Sequence, residues 1–131
     1  MKIEQFDFQN WPVYREAILF AQEAYELCAK FSNVGHRRIV DQITRASQSI
    51  PLNIAEGSGR FTKADKVNFF RVARGSAFEC VACLDLILAM KLSSEMELQG
   101  LRCRLVKMGK MLSGLIRFVE RGECPPERLR R

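Results

Sequence analysis

The chain has 131 residues, of which 47% are apolar and 27% charged, with a formal net charge of +6. That length and balance exclude a disulfide-stapled miniprotein, a collagen-like chain and long disorder, and they leave a single domain over residues 1–131 with a core of its own. No apolar run reaches the roughly 18 residues of a membrane span, and the opening MKIEQFDFQN lacks the apolar centre of a signal peptide, so the expected location is cytoplasmic, away from membranes.

Helix one is expected from about Asn10 to Phe31, where Tyr14, Ile18, Ala21, Tyr25 and Cys28 recur at alternating four and three; Asn10 is its candidate cap and Pro12 lies in its first turn. After the polar break Ser32-Asn33-Val34-Gly35, a second stripe runs through Ile39, Ile43, Ala46, Ile50 and Ile54 and ends at Gly57. Pro51 interrupts one hydrogen bond of this helix, which is expected to continue past it with a kink or local loosening. Thr62, with Asp65 three residues on, opens a third helix that persists to about Leu92 and is the longest element. Ser94 with Glu97 forms a stronger capping box for a fourth, whose seam is Leu98, Leu101, Leu105, Met108, Leu112, Leu115 and Val119. Gly122 and Pro125-Pro126 stop it, leaving a short basic tail from about residue 123. The fold class is therefore all-α, an antiparallel up-and-down four-helix bundle.

Between Cys80 and Met90 the sequence CVACLDLILAM is apolar nearly all round, with Asp85 its sole charge. More of the third helix wants cover than one bundle supplies, which points to self-association; a fully buried central helix is the alternative.

Gly57-Ser58-Gly59-Arg60 poses a sharper question, because a glycine-rich loop feeding a helix N-terminus can cradle phosphate. A P-loop or dinucleotide fingerprint needs a strand before the loop, and none is expected here. Gly57 instead falls where a helix C-terminus favours a left-handed residue, so the stretch reads as a turn.

Five cysteines, Cys28, Cys80, Cys83, Cys103 and Cys124, are odd in number and unevenly spaced, as reduced thiols are. Cys80 and Cys83 have the spacing of half a zinc site but lack a second pair of ligands, and they read as small packing groups; no metal or other cofactor is expected. The one histidine has no evident catalytic partner, and no enzyme activity is expected.

Two polar patterns remain. On helix two, Gln42, Arg45, Ser49, Asn53 and Glu56 share one face, with Asn53 and Glu56 set among apolar neighbours; the stripe is expected to be partly buried and to fix register between helices or subunits, unless it is an ordinary solvated face. On helix four, Lys107, Lys110, Arg117 and Arg121 lie opposite the leucine seam. Such a row can track nucleic-acid phosphates, helped by the tail arginines, or serve solubility alone.

QITRASQSIPLNIAEGSGR, from Gln42 to Arg60, and FFRVARGSAFE, from Phe69 to Glu79, together resemble the signature of bacterial four-helix bundle proteins related to the 23S rRNA intervening-sequence protein. Gln42, Arg45, Ala46, Ser49, Ile50, Asn53, Ile54, Ala55, Glu56 and Gly57 match its first part, and Phe69 or Phe70, Ala73, Gly75, Ser76 and Glu79 its second. The likeness extends from about Phe6 to Phe118. Phe78, where the family often has leucine, and the number of cysteines depart from it. The resemblance implies a non-enzymatic bundle that assembles as a homopentamer. Through a related branch, the accessory proteins of diversity-generating retroelements, it implies RNA, an RNA–DNA hybrid or a reverse transcriptase as partner. The intact S-I-x-x-N-I-A-E-G motif places this chain nearer the ribosomal-insertion branch. Two function classes follow: a nucleic-acid-binding ring with a basic outer surface, or a protein-interaction scaffold whose charge serves solubility.

Overall fold

Two hydroxyl caps set the starts of the long helices in the computed structural model, which describes residues 3–32 and 35–122. Thr62 Oγ1 accepts the Asp65 amide at 3.1 Å, opening α3 (Lys63–Ala89), and Ser94 Oγ accepts the Glu97 amide at 3.2 Å, opening α4 (Glu95–Glu120). Each cap supplies a partner to an amide that has none within the helix. Before them come a 3-10 turn (Asp7–Asn10), α1 (Pro12–Ala29) and α2 (Arg37–Ser58). The α1 N-cap is Trp11 rather than Asn10 and makes no side-chain bond, while Pro12 occupies the first turn, where its missing N–H costs nothing.

The four helices form an antiparallel up-and-down bundle, and among the described residues there is no strand. α2 packs on α1 and α3, and α4 on α3 and α1, which leaves α1 and α3 at opposite corners. α2 buries Ile39, Ile43, Ala46, Ile50 and Ile54 and remains one helix through buried Pro51. The α4 seam from Leu98 to Leu115 is buried as expected, with Val119 only partly covered.

On α1 the expected stripe is displaced. Val13, Ala17, Phe20, Ala24 and Leu27 face the core together with Cys28, whereas Ile18 and Tyr25 are exposed and Tyr14 and Ala21 lie between. Both neighbouring stripes are apolar; the one with Ala17 and Ala24 lets the helix approach its neighbours closely, and the bulkier one is left outside. α3 ends earlier than Leu92 because Lys91 adopts a left-handed φ of 61°, and Leu92 N–H donates to the Ile87 carbonyl at 3.1 Å, a terminal wrap that closes the helix. Gly122, at φ 71°, ends α4 in the same conformation. The Pro125-Pro126 stop and the basic tail lie outside the described residues.

Gly57 corrects the sequence expectation. Its φ is not left-handed, and it sits inside the last turn of α2. What it supplies is room: a Cβ there would stand 2.6 Å from Phe70 Cε1 and 3.1 Å from Phe69 Cβ. Phe70 is fully buried against α2 and meets Trp11 edge-on, with ring centroids 6.2 Å apart. Gly57→Ala should therefore lower the unfolding free energy by about 1–3 kcal/mol, despite alanine's better helix propensity, because the buried Phe70 ring must shift to admit the methyl group. Urea denaturation measures this, and a stability equal to or above wild type would contradict it.

Candidate nucleic-acid interface

The glycine-rich turn between α2 and α3 does not offer a phosphate cradle. Gly59 N–H donates to the Ala55 and Glu56 carbonyls and Arg60 N–H to the Gly57 carbonyl, while Lys66 Nζ donates to the Ser58 carbonyl at 2.9 Å. The hollow beside it is lined by Glu56 and Asp65 as well as by Arg60, which is already paired with Glu56, so the balance of charge opposes an anion.

The signature residues divide by depth. Ser76 Oγ donates to Ser49 Oγ at 2.8 Å, and Asn53 Nδ2 donates to Ser49 Oγ at 2.9 Å and to its carbonyl at 2.8 Å. This half-buried chain ties α2 to α3. Glu56, expected among the buried members, is exposed instead and pairs with Arg60 at 3.1 Å; Arg60 in turn lies 4.6 Å over the Phe69 ring. The helix turns Glu56 away from Ile54 and Gly57, toward solvent. Gln42, Arg45 and Glu79 are exposed and make no side-chain hydrogen bond or ion pair among the described residues, and a Cβ on Gly75 would meet nothing within 4 Å. Gln42 and Glu79 flank an apolar groove of about 360 Å³ on the α2–α3 face, with Cys83, Leu86 and Met90 along it.

The helix-four row is split between two seams. Lys107 turns toward α1 and donates to Glu16 at 3.1 Å, beside Arg104, which holds Glu16 and Glu23 at 2.7 Å each. Burial raises the Glu16 pKa, but hydrogen bonds from Arg104 and Lys107 outweigh it and hold the carboxyl below its ordinary value. Lys110 and Arg117 turn toward α3, and Arg121 lies exposed in the turn after α4.

Along the α3–α4 seam both ends are closed by ion pairs. Arg71 meets Glu120 at 2.6 Å at one end, and Arg102 meets Asp85 at 2.8 Å and Glu95 at 2.7 Å at the other. Between them lies a groove of about 400 Å³ lined by three cations, Arg74, Lys110 and Arg117, and no carboxylate. Arg74 Nε donates to Ser113 Oγ at 2.9 Å, and its guanidinium carbon stands 4.5 Å over the Phe78 ring. Phe78 is 54% exposed and Val106 60%. Gly109 lies on the same wall, and a Cβ there would meet nothing within 4 Å, so packing does not account for a residue that costs a helix about 1 kcal/mol relative to alanine.

Arg74 and Phe78 are not among the expected binding residues. Their spacing from each other is readable in the sequence, but their place beside Lys110 and Arg117 depends on how two helices dock. The aromatic that no one-helix reading of the basic row contains is supplied by α3.

The three buried thiols play no part here. Burial, and secondarily Cys83, push Cys28 up to about 11, and burial raises Cys80 and Cys83 as well, so all three stay protonated and inert near neutral pH. Among the described residues no group of His, Cys, Asp or Glu is placed to hold a metal, and no helix is long and apolar enough to cross a membrane.

A family model described as 23S rRNA-intervening sequence protein matches residues 9–114, and the chain belongs to that family. Among solved structures, a protein of unknown function from the S23 ribosomal protein family of Bacteroides thetaiotaomicron is similar, with a TM-score of 0.72 and 21% identity over 79% of this chain and 97% of that one. That likeness supports the fold alone. No curated protein matches the chain.

The Glu16 cluster makes a pH-dependent prediction. A carboxyl whose native pKa is lowered contributes stability above its ordinary value, near 4.5, and loses it as pH falls through the native pKa. Glu16→Gln should lower the unfolding free energy by about 1 kcal/mol at neutral pH, with the deficit shrinking in acid. Thermal melts from neutral to acidic pH test this; a deficit unchanged in acid would contradict it.

Proposed function

We propose, from this family membership, that the protein is a non-catalytic, self-assembling bundle that binds RNA, or an RNA–DNA hybrid, by its phosphates along the middle of the α3–α4 seam. The observation that carries this reading is the run of Arg74, Lys110 and Arg117 without a carboxylate, between two seam ends where every named cation has an acid. A cation set that served only solubility would gain nothing from being gathered in one groove and kept from acids. Phosphate contacts release counterions and give affinity without reading bases. Lys107, half engaged by Glu16, is a minor contributor in this scheme, and Arg121 extends the surface at one end.

Self-association has separate support. α3 exposes Val72, Leu86 and Met90, and at the opposite corner α1 exposes Ile18, Leu19 and Tyr25. Two unlike apolar faces on one copy favour a head-to-tail contact, which closes into a ring when the rotation permits. The homopentamer implied by the family resemblance is such a ring, and its repeated grooves would add avidity along one polyanion. The same exposed apolar surface also favours the second reading, a scaffold for a protein partner.

Two measurements separate these readings. Sedimentation at moderate salt is expected to give a closed oligomer, a pentamer, and a monodisperse monomer at micromolar concentration would refute the assembly. RNA binding across a salt series should weaken steeply, and Lys110→Gln with Arg117→Gln should flatten the slope by about 1 for each phosphate no longer neutralised, with Lys107→Gln changing it less. Absence of RNA binding even at low salt would leave the scaffold.

A further inference from the structure

The seam groove holds more than a phosphate-binding surface needs. Its cations are joined by Phe78, Val81 and Val106, all substantially exposed, and its wall is lowered at Gly109, where the fold itself requires no glycine. A double helix presents phosphates but keeps the faces of its bases stacked inside, so an apolar floor between cations gives it nothing to bind. Unpaired bases do have free faces, and stacking on an aromatic ring beside basic residues is the recurring way in which single strands are held.

We propose that the middle of the α3–α4 seam is a cleft for single-stranded nucleic acid. A base lies against Phe78 and the flanking Val81 and Val106, while the adjoining phosphates are held by Arg117 and Lys110. Arg74 stands over the Phe78 ring and is itself held by Ser113, so ring and guanidinium form a platform that is in place before the strand arrives. The opening of about 400 Å³ lies within the ordinary range for a small-ligand pocket and accommodates a single base. The absent side chain at Gly109 keeps that opening clear. This inference rests on the nucleic-acid reading above and narrows it, favouring unpaired RNA over the hybrid duplex.

The test compares three probes by fluorescence anisotropy at matched salt: a short single-stranded RNA, the same sequence as a duplex, and heparin, a polyanion without bases. The single strand should bind roughly tenfold more tightly than the duplex. Phe78→Ala should abolish that preference and leave heparin binding unchanged. Gly109→Leu, which fills the cleft from a position where an added Cβ has nothing within 4 Å, should weaken single-strand binding to a similar degree with helicity and oligomeric state preserved. If single strand and duplex bind equally and neither variant alters this, the cleft is refuted while phosphate binding stands. If only heparin binds, the groove is a plain cationic patch and both the cleft and the nucleic-acid reading fail. If no probe binds but an acidic peptide does, the groove is a protein-docking surface and the cleft fails with the nucleic-acid reading.

Discussion

The close approach of α2 to α3 at Gly57 is the contact on which the rest of the bundle depends. With no Cβ in the way, the Phe70 ring seats fully in the core, and Trp11 meets its edge, so the start of α1 is bound to the same point. Further along, the two helices remain near enough for Ser76 to reach Ser49 directly. This seating fixes the rotation of α3 about its own axis. Arg74, Phe78 and Val81, spaced four and three apart, then face the α4 side, while Glu79, Leu86 and Met90 face the α2 side. Packing at one glycine thereby decides which side chains of the longest helix meet which partners.

Charge is distributed by the same geometry. The α1–α4 seam is self-compensating, with Glu16 and Glu23 against Arg104 and Lys107. The α3–α4 seam is compensated only at its ends. A net charge of +6 is in itself compatible with solubility alone, and its placement is what favours a polyanionic partner. The signature follows a comparable division. Its apolar members and Gly57 build the α2–α3 contact, Ser49, Asn53 and Ser76 clamp it, and Gln42, Arg45 and Glu79 stay on the outside.

Much of the fold is legible in the sequence because its signals are local. The Thr62 and Ser94 caps depend on residues three apart, and the apolar stripes read on α2 and α4 are the faces those helices bury. α1 carries two apolar stripes side by side, only packing chooses between them, and periodicity alone selects the wrong one. Gly57 lies within the last turn of α2 rather than ending it, and the reason for a glycine there is a long-range contact with Phe70 that no backbone rule contains. The basic row on α4 is visible as a row; that Lys107 leaves it for Glu16 and that Arg74 and Phe78 join it are consequences of helix docking. Glu56 has apolar neighbours in sequence that suggest burial, although the turn of the helix carries it away from them.

Nucleic acid, on the proposed reading, is held chiefly in the α3–α4 seam. Lysine-modification footprinting, read by mass spectrometry with and without bound RNA, tests this most directly, since it locates the ligand without altering the protein's sequence. Protection of Lys110, with Lys91 just after α3 and Lys30, paired with Glu97, both unchanged, is the predicted pattern. Uniform protection of all three lysines, or protection of Lys30 or Lys91 with Lys110 still reactive, would contradict it.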